Sequence, residues 1–187
     1  MKGLITCFEN FDGVSDNTSK KVVESLNLPS LVLPVSFNRC DQSLPQDMDF
    51  IIQVGVAASR SEITIERYAH NLAHSPTQPD NDGQKPVHQR IVQHAPLALE
   101  TNIEVNLLDT IPGKWSWSLS AGSYVCNALY FKTLLNLPNT KTVFLHIPYH
   151  LKMDDPEKSL QHSAQLITAV FMLMSNKDYQ SIKRQRL

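Results

Sequence analysis

Residues 118–127 have the sequence SLSAGSYVCN, in which an apolar, β-prone run gives way to a pattern that suits a helix. Cys126 lies at this change of pattern. A turn from strand to helix points the first backbone N–H groups and the positive end of the helix dipole at one spot. Such an environment favours a thiolate over a neutral thiol. The segment therefore predicts a reactive sulfur at a strand-to-helix junction.

Two further segments supply partners for a reactive sulfur. Residues 143–148 (VFLHIP) form a buried-strand pattern that His146 interrupts, and residues 63–67 (ITIER) place Glu66 at the expected start of a helix. A cysteine, a histidine and a carboxylate can serve as a thiol nucleophile, its base and an orienting group. Taken singly, each has a commoner structural interpretation: a small buried thiol, a hydrogen-bonded core histidine and a helix-start acid.

Apolar runs alternate with helical patterns along the whole chain. The patterns predict strands at residues 4–8, 31–37, 50–56, 115–119 and 142–147, and helices at 19–26, 66–73, 125–137 and 155–179. Between them, residues 75–96 are rich in Pro, Asp, Asn and Gln and form either a long ordered excursion or a flexible flap. The alternation predicts an α/β fold, a three-layer α/β/α sandwich with a mostly parallel, mixed and twisted sheet.

Length, charge and cysteine content limit the class of protein. A chain of 187 residues suits a single domain, 1–187, with a basic, solvated tail at about 180–187. A net charge of -1 gives no reason to expect nucleic acid or membrane as a partner. The N-terminus shows neither a signal-peptide pattern nor a long apolar span, so a cytoplasmic location is expected. The three cysteines are scattered and form no CxxC pair, which argues against a disulfide framework or a cysteine zinc site.

Several blocks of the chain carry a more specific pattern. They are TCFENFDG at residues 6–13 with Asn17 following, VGVAASR at 54–60 continuing through Glu66 to Asn71, PDNDG at 79–83, SAG to CN at 120–127 and FLHIP at 144–148. In this order they resemble the TGFEPFGG, VGxAGGR…ExxAxN, PDNxG, SAGxxxCN and histidine-strand blocks of the pyroglutamyl peptidase I (pyrrolidone-carboxylate peptidase) family. These cysteine exopeptidases, with a phosphorylase/hydrolase-like fold, remove N-terminal pyroglutamate (5-oxoproline).

The resemblance implies a role for each candidate residue. Cys126 would be the nucleophile, His146 the general base and then acid, and Glu66 the carboxylate that orients the imidazole. Arg60 would lie beside the oxyanion site, together with the backbone N–H of Cys126. No metal and no other cofactor is implied.

The resemblance also implies a substrate pocket and partners. Peptides with an N-terminal pyroglutamate would be the substrates, and a homodimer or homotetramer is compatible with the family. Residues at the positions that bind or enclose the lactam ring are Phe8, Phe11, Asn17, Ile91, Tyr124 and Val125.

Two alternatives stay open from the sequence. Asn10 and Asp12 in the first loop, and the short segment between Leu108 and Trp115, depart from the family pattern. A homologue with weakened catalysis could therefore bind pyroglutamyl peptides or a protein partner without efficient turnover. A phosphorylase-like enzyme is the third hypothesis, although the chain has no Gly-rich phosphate loop.

Overall fold

A six-stranded mixed sheet forms the centre of the computed structural model, which describes residues 1–11 and 16–176. Its strands are β1 (Gly3–Phe8), β2 (Ser30–Leu33), β3 (Phe50–Ala57), β4 (Thr64–Glu66), β7 (Ser116–Ser118) and β8 (Lys141–Pro148). Their order in the sheet is β2-β1-β3-β8-β4-β7, and β4 runs antiparallel to β8 while the other neighbouring pairs are parallel. Two more strands, β5 (Tyr68–His70) and β6 (Ala98–Glu100), form a small antiparallel pair. The predicted mixed, mostly parallel sheet is confirmed.

Helices cover the sheet on both faces. They are α1 (Thr18–Ser25), α2 (Val105–Leu108), α3 (Val125–Asn136) and α4 (Pro156–Ser175), with a short 3-10 helix at His150–Lys152. One apolar core joins the sheet to α1 and α4, and a second joins it to α3. No helix in the described part of the chain is both long and apolar enough to cross a membrane.

Strand β8 shows how one sequence serves both cores. Val143, Leu145 and Ile147 belong to the core beneath α1 and α4, whereas Phe144 belongs to the core beneath α3. Successive side chains of a strand point to opposite faces, so His146 shares the α3 face with Phe144. The three-layer arrangement thus places His146 under the helix that begins at Val125.

The predicted helix at residues 66–73 is wrong. Glu66 is the last residue of β4, and β5 follows almost at once. The β-branched side chains of Ile63, Thr64 and Ile65 favour an extended backbone, and β4 is then fixed by its pairing with β8 and β7. Glu66 therefore ends a strand that lies between β8 and β7, and it does not start a helix.

Other boundaries differ less. The predicted strand at 31–37 ends at Leu33, before Pro34, which has no backbone N–H to donate to a neighbouring strand.

Within residues 75–96, Asp80 organises a turn, because its carboxylate accepts hydrogen bonds from the backbone N–H groups of Phe37, Asp82 and Gln84. Helix α4 ends at Ser175. The end of the predicted last helix and the basic tail lie outside the described residues.

Candidate active site

The histidine and the carboxylate come from neighbouring strands. Antiparallel pairing sets Glu66 of β4 opposite Phe144 of β8, two residues before His146 and on the same face. Nδ1 of His146 lies 2.8 Å from Oε1 of Glu66, and both side chains are buried. A carboxylate can only accept a hydrogen bond, so Nδ1 carries the ring proton. Nε2 is then the ring nitrogen that can accept a proton from another group.

The environment of Glu66 holds it in the ionised form. Burial raises the pKa of this carboxyl, but hydrogen bonds from His146, Ser118 and Arg60 outweigh that effect, and the pKa is lower than usual. Glu66 is therefore negatively charged at neutral pH. A buried negative charge beside the ring can stabilise an imidazolium that forms during a reaction.

Arg60 binds the same carboxylate. One guanidinium nitrogen donates to Oγ1 of Thr64 and Oε1 of Glu66. The other donates to Oγ of Ser118 at 3.2 Å and to the backbone oxygen of Ser120 at 3.1 Å. The structure thus joins Arg60 to the candidate catalytic carboxylate, and its position beside an oxyanion stays a prediction.

Cys126 is the second residue of α3, and its sulfur lies against strand β3. A Cβ atom added to Gly55 would be 2.8 Å from Sγ of Cys126. Gly55 is the pairing partner of His146 in parallel strands, so positions 55 and 146 face the same side of the sheet. The sulfur and the imidazole therefore lie on one face, over adjacent strands.

The surroundings of Cys126 oppose the expected thiolate. Burial, reinforced by the negative charge of Glu66, raises the pKa of the thiol to about 12. A backbone hydrogen bond at the helix start and the charge of Arg60 offset only part of this. The helix start and Arg60 thus favour the thiolate less than burial and Glu66 disfavour it, and a neighbouring base is needed to take the thiol proton.

Most of the predicted pocket residues meet in one apolar cluster. Phe8 and Val125 are buried in the core beneath α3, and Phe11, Ile91 and Tyr124 pack against it, as does Cys126. The ring centroids of Phe11 and Tyr124 are 6.3 Å apart. The sulfur therefore borders an apolar region formed by the residues that the resemblance to the family selects.

Asn17 has a structural role that its sequence context did not indicate. It is the N-cap of α1: its Oδ1 accepts from the backbone N–H of Ser19, and its Nδ2 donates to the backbone oxygen of Glu9. It also lines a cleft of about 250 Å³ with Phe11, Thr18, Val56, Ala58, Gln78, Tyr149 and Lys152. Ile91 lines a separate cleft of about 180 Å³. Phe11 and Asn17 thus line one cleft, whereas Ile91 packs against the same apolar cluster as Phe11 but lines a different cleft.

Sequence reasoning missed several residues that support the site. Thr64 and Ser118 complete the hydrogen bonds around Arg60, and Gly55 leaves room for the sulfur. The side-chain amide of Asn127 bonds to the backbone of His70 and Leu72, which fixes the start of α3 against β5. The sequence prediction started a helix at Glu66. A strand at residues 64–66 would have put Thr64 on the same face as Glu66 and indicated its contact with Arg60.

Comparisons with known proteins agree with one another. A family model described as pyroglutamyl peptidase matches residues 1–172. The pyrrolidone-carboxylate peptidase of Thermococcus litoralis is 33% identical over 171 residues, 79% of this chain and 76% of the relative. Its counterpart in Thermococcus kodakarensis is 34% identical over 184 residues, 86% of this chain and 88% of the relative.

Solved structures give the same result. Pyroglutamyl peptidase I from Bacillus amyloliquefaciens superposes with a TM-score of 0.79 at 29% identity and covers 94% of this chain and 95% of that one. Pyrrolidone carboxyl peptidase from Thermus thermophilus gives a TM-score of 0.76 at 29% identity and covers 88% of this chain and 98% of that one.

Proposed function

Because this chain belongs to the pyroglutamyl peptidase family, we propose that Cys126, His146 and Glu66 together release N-terminal pyroglutamate from peptides. The single observation that carries the residue assignment is the shared face of the sheet on which the sulfur, the imidazole and the carboxylate lie. The intact constellation favours turnover over the binding-only alternative. The family membership likewise favours peptide hydrolysis over a phosphorylase reaction.

The first step forms a covalent intermediate. Nε2 of His146 takes the thiol proton of Cys126 while the sulfur attacks the carbonyl carbon that follows the lactam ring. Because burial raises the pKa of the thiol, the attack depends on His146 as the base that takes its proton. Glu66 stabilises the imidazolium that results.

The next steps release both products. The imidazolium of His146 gives its proton to the leaving amine as the bond to the carbonyl carbon breaks, which leaves a thioester on Cys126. A water molecule then loses a proton to His146 and attacks the thioester, and the thiol regains its proton as pyroglutamate leaves. The water consumed, the two products and the protons balance with no cofactor.

Two groups are suited to the negative charge that develops on the carbonyl oxygen. The backbone N–H of Cys126 lies in the first turn of α3, where N–H groups have no partner within the helix. Arg60 brings a positive charge to the same site and lowers the pKa of Cys126 in part. Removing one oxyanion donor typically raises the barrier by about 3–4 kcal/mol.

The neutral lactam requires a pocket that is apolar with a few polar groups. The apolar side chains proposed to surround the lactam ring are those of Phe8, Phe11, Ile91, Tyr124 and Val125. Asn17 provides the amide at the buried end of the cleft. Because Asn17 also caps α1, its orientation is fixed before substrate arrives.

Hydrolysis of a pyroglutamyl-coumarin conjugate tests this function. We expect release of the fluorophore from the pyroglutamyl conjugate and none from an alanyl control. The variant Cys126→Ala should lower kcat/KM by at least about 10⁴-fold, as loss of a triad nucleophile does. Cys7→Ala, on the opposite face of the sheet, is the matched control and should keep its activity. Unchanged turnover in Cys126→Ala would exclude the assignment.

A cytoplasmic location and an assembly into a homodimer or homotetramer are part of the same proposal. The three described cysteines are all unpaired, which suits a reducing compartment. Cell fractionation would test the location, and light scattering on the purified protein would test the assembly.

A further inference from the structure

The cleft that contains Asn17 has a buried end and an open end. Asn17 and Thr18 are buried, with exposed fractions of 4% and 0%, whereas Ala58 and Lys152 are exposed. A small lactam that reaches the buried end leaves the rest of its peptide at the open end. The open end therefore contacts the part of the substrate that departs as the new amine.

Lys152 gives this end a charge. It is the one charged residue among the described residues that line the cleft. Within residues 1–11 and 16–176, no carboxylate lies within ion-pair distance of its ammonium group, whereas Lys21 pairs with Asp16 and Lys132 with Asp41. Of the acids that follow Lys152 in sequence, Asp155 is committed to capping α4. The ammonium group is thus available to a ligand.

The cleft lies at the same end of the sheet as the proposed nucleophile. Phe11 lines it and also contacts Tyr124, the N-cap of the helix that carries Cys126. Val56 lines it as well, but its side chain points to the α1 face of the sheet, opposite the sulfur, so the cleft and Cys126 meet at the edge where β3 ends. Lys152 comes from the 3-10 helix that follows β8, the strand of His146. The ends of β3 and β8 therefore border both the cleft and the reacting groups.

We propose that the open end of this cleft is a leaving-group subsite in which Lys152 selects peptides with a carboxylate just after the pyroglutamyl residue. The carboxylate is that of an acidic side chain in the second position or of the C-terminus of a dipeptide. The inference rests on the proposed function. The lactam is uncharged, so the charge of Lys152 acts on the departing part of the substrate alone.

The expected preference is modest because Lys152 is exposed. Exposed ion pairs are weak and are screened by salt, so a carboxylate in the second position should raise kcat/KM by about 2- to 5-fold at low ionic strength. The preference should shrink as salt is added. A preference that arises from shape alone would not depend on salt.

Matched substrates measure this preference. Pyroglutamyl-glutamyl amide and pyroglutamyl-glutaminyl amide differ only in the side-chain charge, and pyroglutamyl-alanine and its amide differ only at the C-terminus. We expect the charged member of at least one pair to be the better substrate, and the pair that responds identifies the source of the carboxylate. Lys152→Gln should abolish the difference, and Lys152→Glu should reverse it in favour of a lysine in the second position.

Lys158→Glu provides the control, because it makes the same charge change on the exposed surface of α4, outside the cleft. It should keep the preference. Equal kcat/KM within both substrate pairs, or a preference that survives Lys152→Gln, would overturn the proposed subsite while leaving the peptidase function intact. Failure to cleave any pyroglutamyl substrate would instead contradict the proposed function, and the subsite with it.

Discussion

At the scale of single residues, Gly55 sets how closely the sulfur approaches the sheet. A methyl group at this position would lie 2.8 Å from Sγ of Cys126 and 2.9 Å from Cζ of Phe144. Both distances are well below normal van der Waals contact. The absence of a side chain at Gly55 is therefore required for the sulfur to lie beside His146.

Gly55→Ala should displace the sulfur from its reacting position. Because small misplacements of reacting groups are costly, we expect kcat/KM to fall by about 10- to 100-fold. Steady-state kinetics measure the loss, and thermal unfolding of the same variant shows whether the fold persists. Full activity in a folded Gly55→Ala protein would contradict the close approach of the sulfur to β3.

Glu66→Gln should impair the base without removing it. The amide cannot stabilise an imidazolium as the carboxylate does, so we expect kcat to fall by about 10²- to 10⁴-fold. Glu62→Gln is the control: Glu62 also accepts a hydrogen bond from a serine of β7, Ser116, yet lies outside the network of His146. Equal kcat values for the Glu66 and Glu62 variants would argue against the proposed triad.

The proposed catalytic residues could be selected from the sequence because each lies in a distinctive local block. Cys126, His146 and Glu66 were selected in this way, and the structure places all three on one face of the sheet. The ionisation of Cys126 could not be predicted, since burial by distant chain segments determines its pKa. For the same reason the sequence did not indicate that Arg60 binds Glu66.

At the scale of secondary-structure elements, the long strands and helices were predictable from the sequence, and most of the three-residue strands were not. Strands β1, β3 and β8 and helix α3 match their predicted bounds within one residue at each end, since their apolar runs define them. Strands β4, β5 and β6 have three residues each and depend on partners far away in sequence, whereas the equally short β7 was predicted at 115–119. The predicted helix at 66–73 failed for this reason.

A buried hydrogen bond links the start of α1 to the 3-10 helix that follows β8. Oγ1 of Thr18 lies 2.8 Å from Nδ1 of His150, which is only 2% exposed. Thr18→Val should leave this nitrogen unpaired and lower the free energy of unfolding by about 1–3 kcal/mol. Denaturant unfolding measures the change. Thr168→Val removes only a hydrogen bond to Ala164 within α4 and should lower the free energy of unfolding by less. An equal decrease in both variants would contradict the structural role of the Thr18–His150 hydrogen bond.

At the scale of the whole molecule, two cores share one sheet, and we infer that they unfold together. The first core includes Trp115 and Trp117 at its border, whereas the second lies beneath α3. A single domain predicts coincident transitions for tryptophan fluorescence and far-ultraviolet circular dichroism. Separate transitions would indicate that the two layers are independent units.

Acid should destabilise this molecule through its paired carboxylates. The pKa of Glu66 is lowered because hydrogen bonds outweigh burial, and that of Asp82 is lowered to about 2 by hydrogen bonds from Arg39 and Ser36. A carboxyl whose pKa is lowered in the folded state stabilises the fold at pH values above its ordinary pKa of about 4. This contribution is lost as the pH falls towards the lowered pKa. The free energy of unfolding should therefore decrease from about pH 5 towards about pH 2, and Glu66→Gln should flatten the decrease. A profile that is flat in the wild type would contradict these ionisation states.

The proposed reaction leaves a thioester on Cys126, which mass spectrometry of the acid-quenched enzyme can detect. Mixed rapidly with a pyroglutamyl-coumarin substrate and quenched within one turnover, the protein should gain the mass of a single pyroglutamyl group, on the peptide that contains Cys126. His146→Ala should slow its appearance, and Cys126→Ala should prevent it. An adduct on any other residue, or fluorophore release by Cys126→Ala at the wild-type rate, would contradict this mechanism.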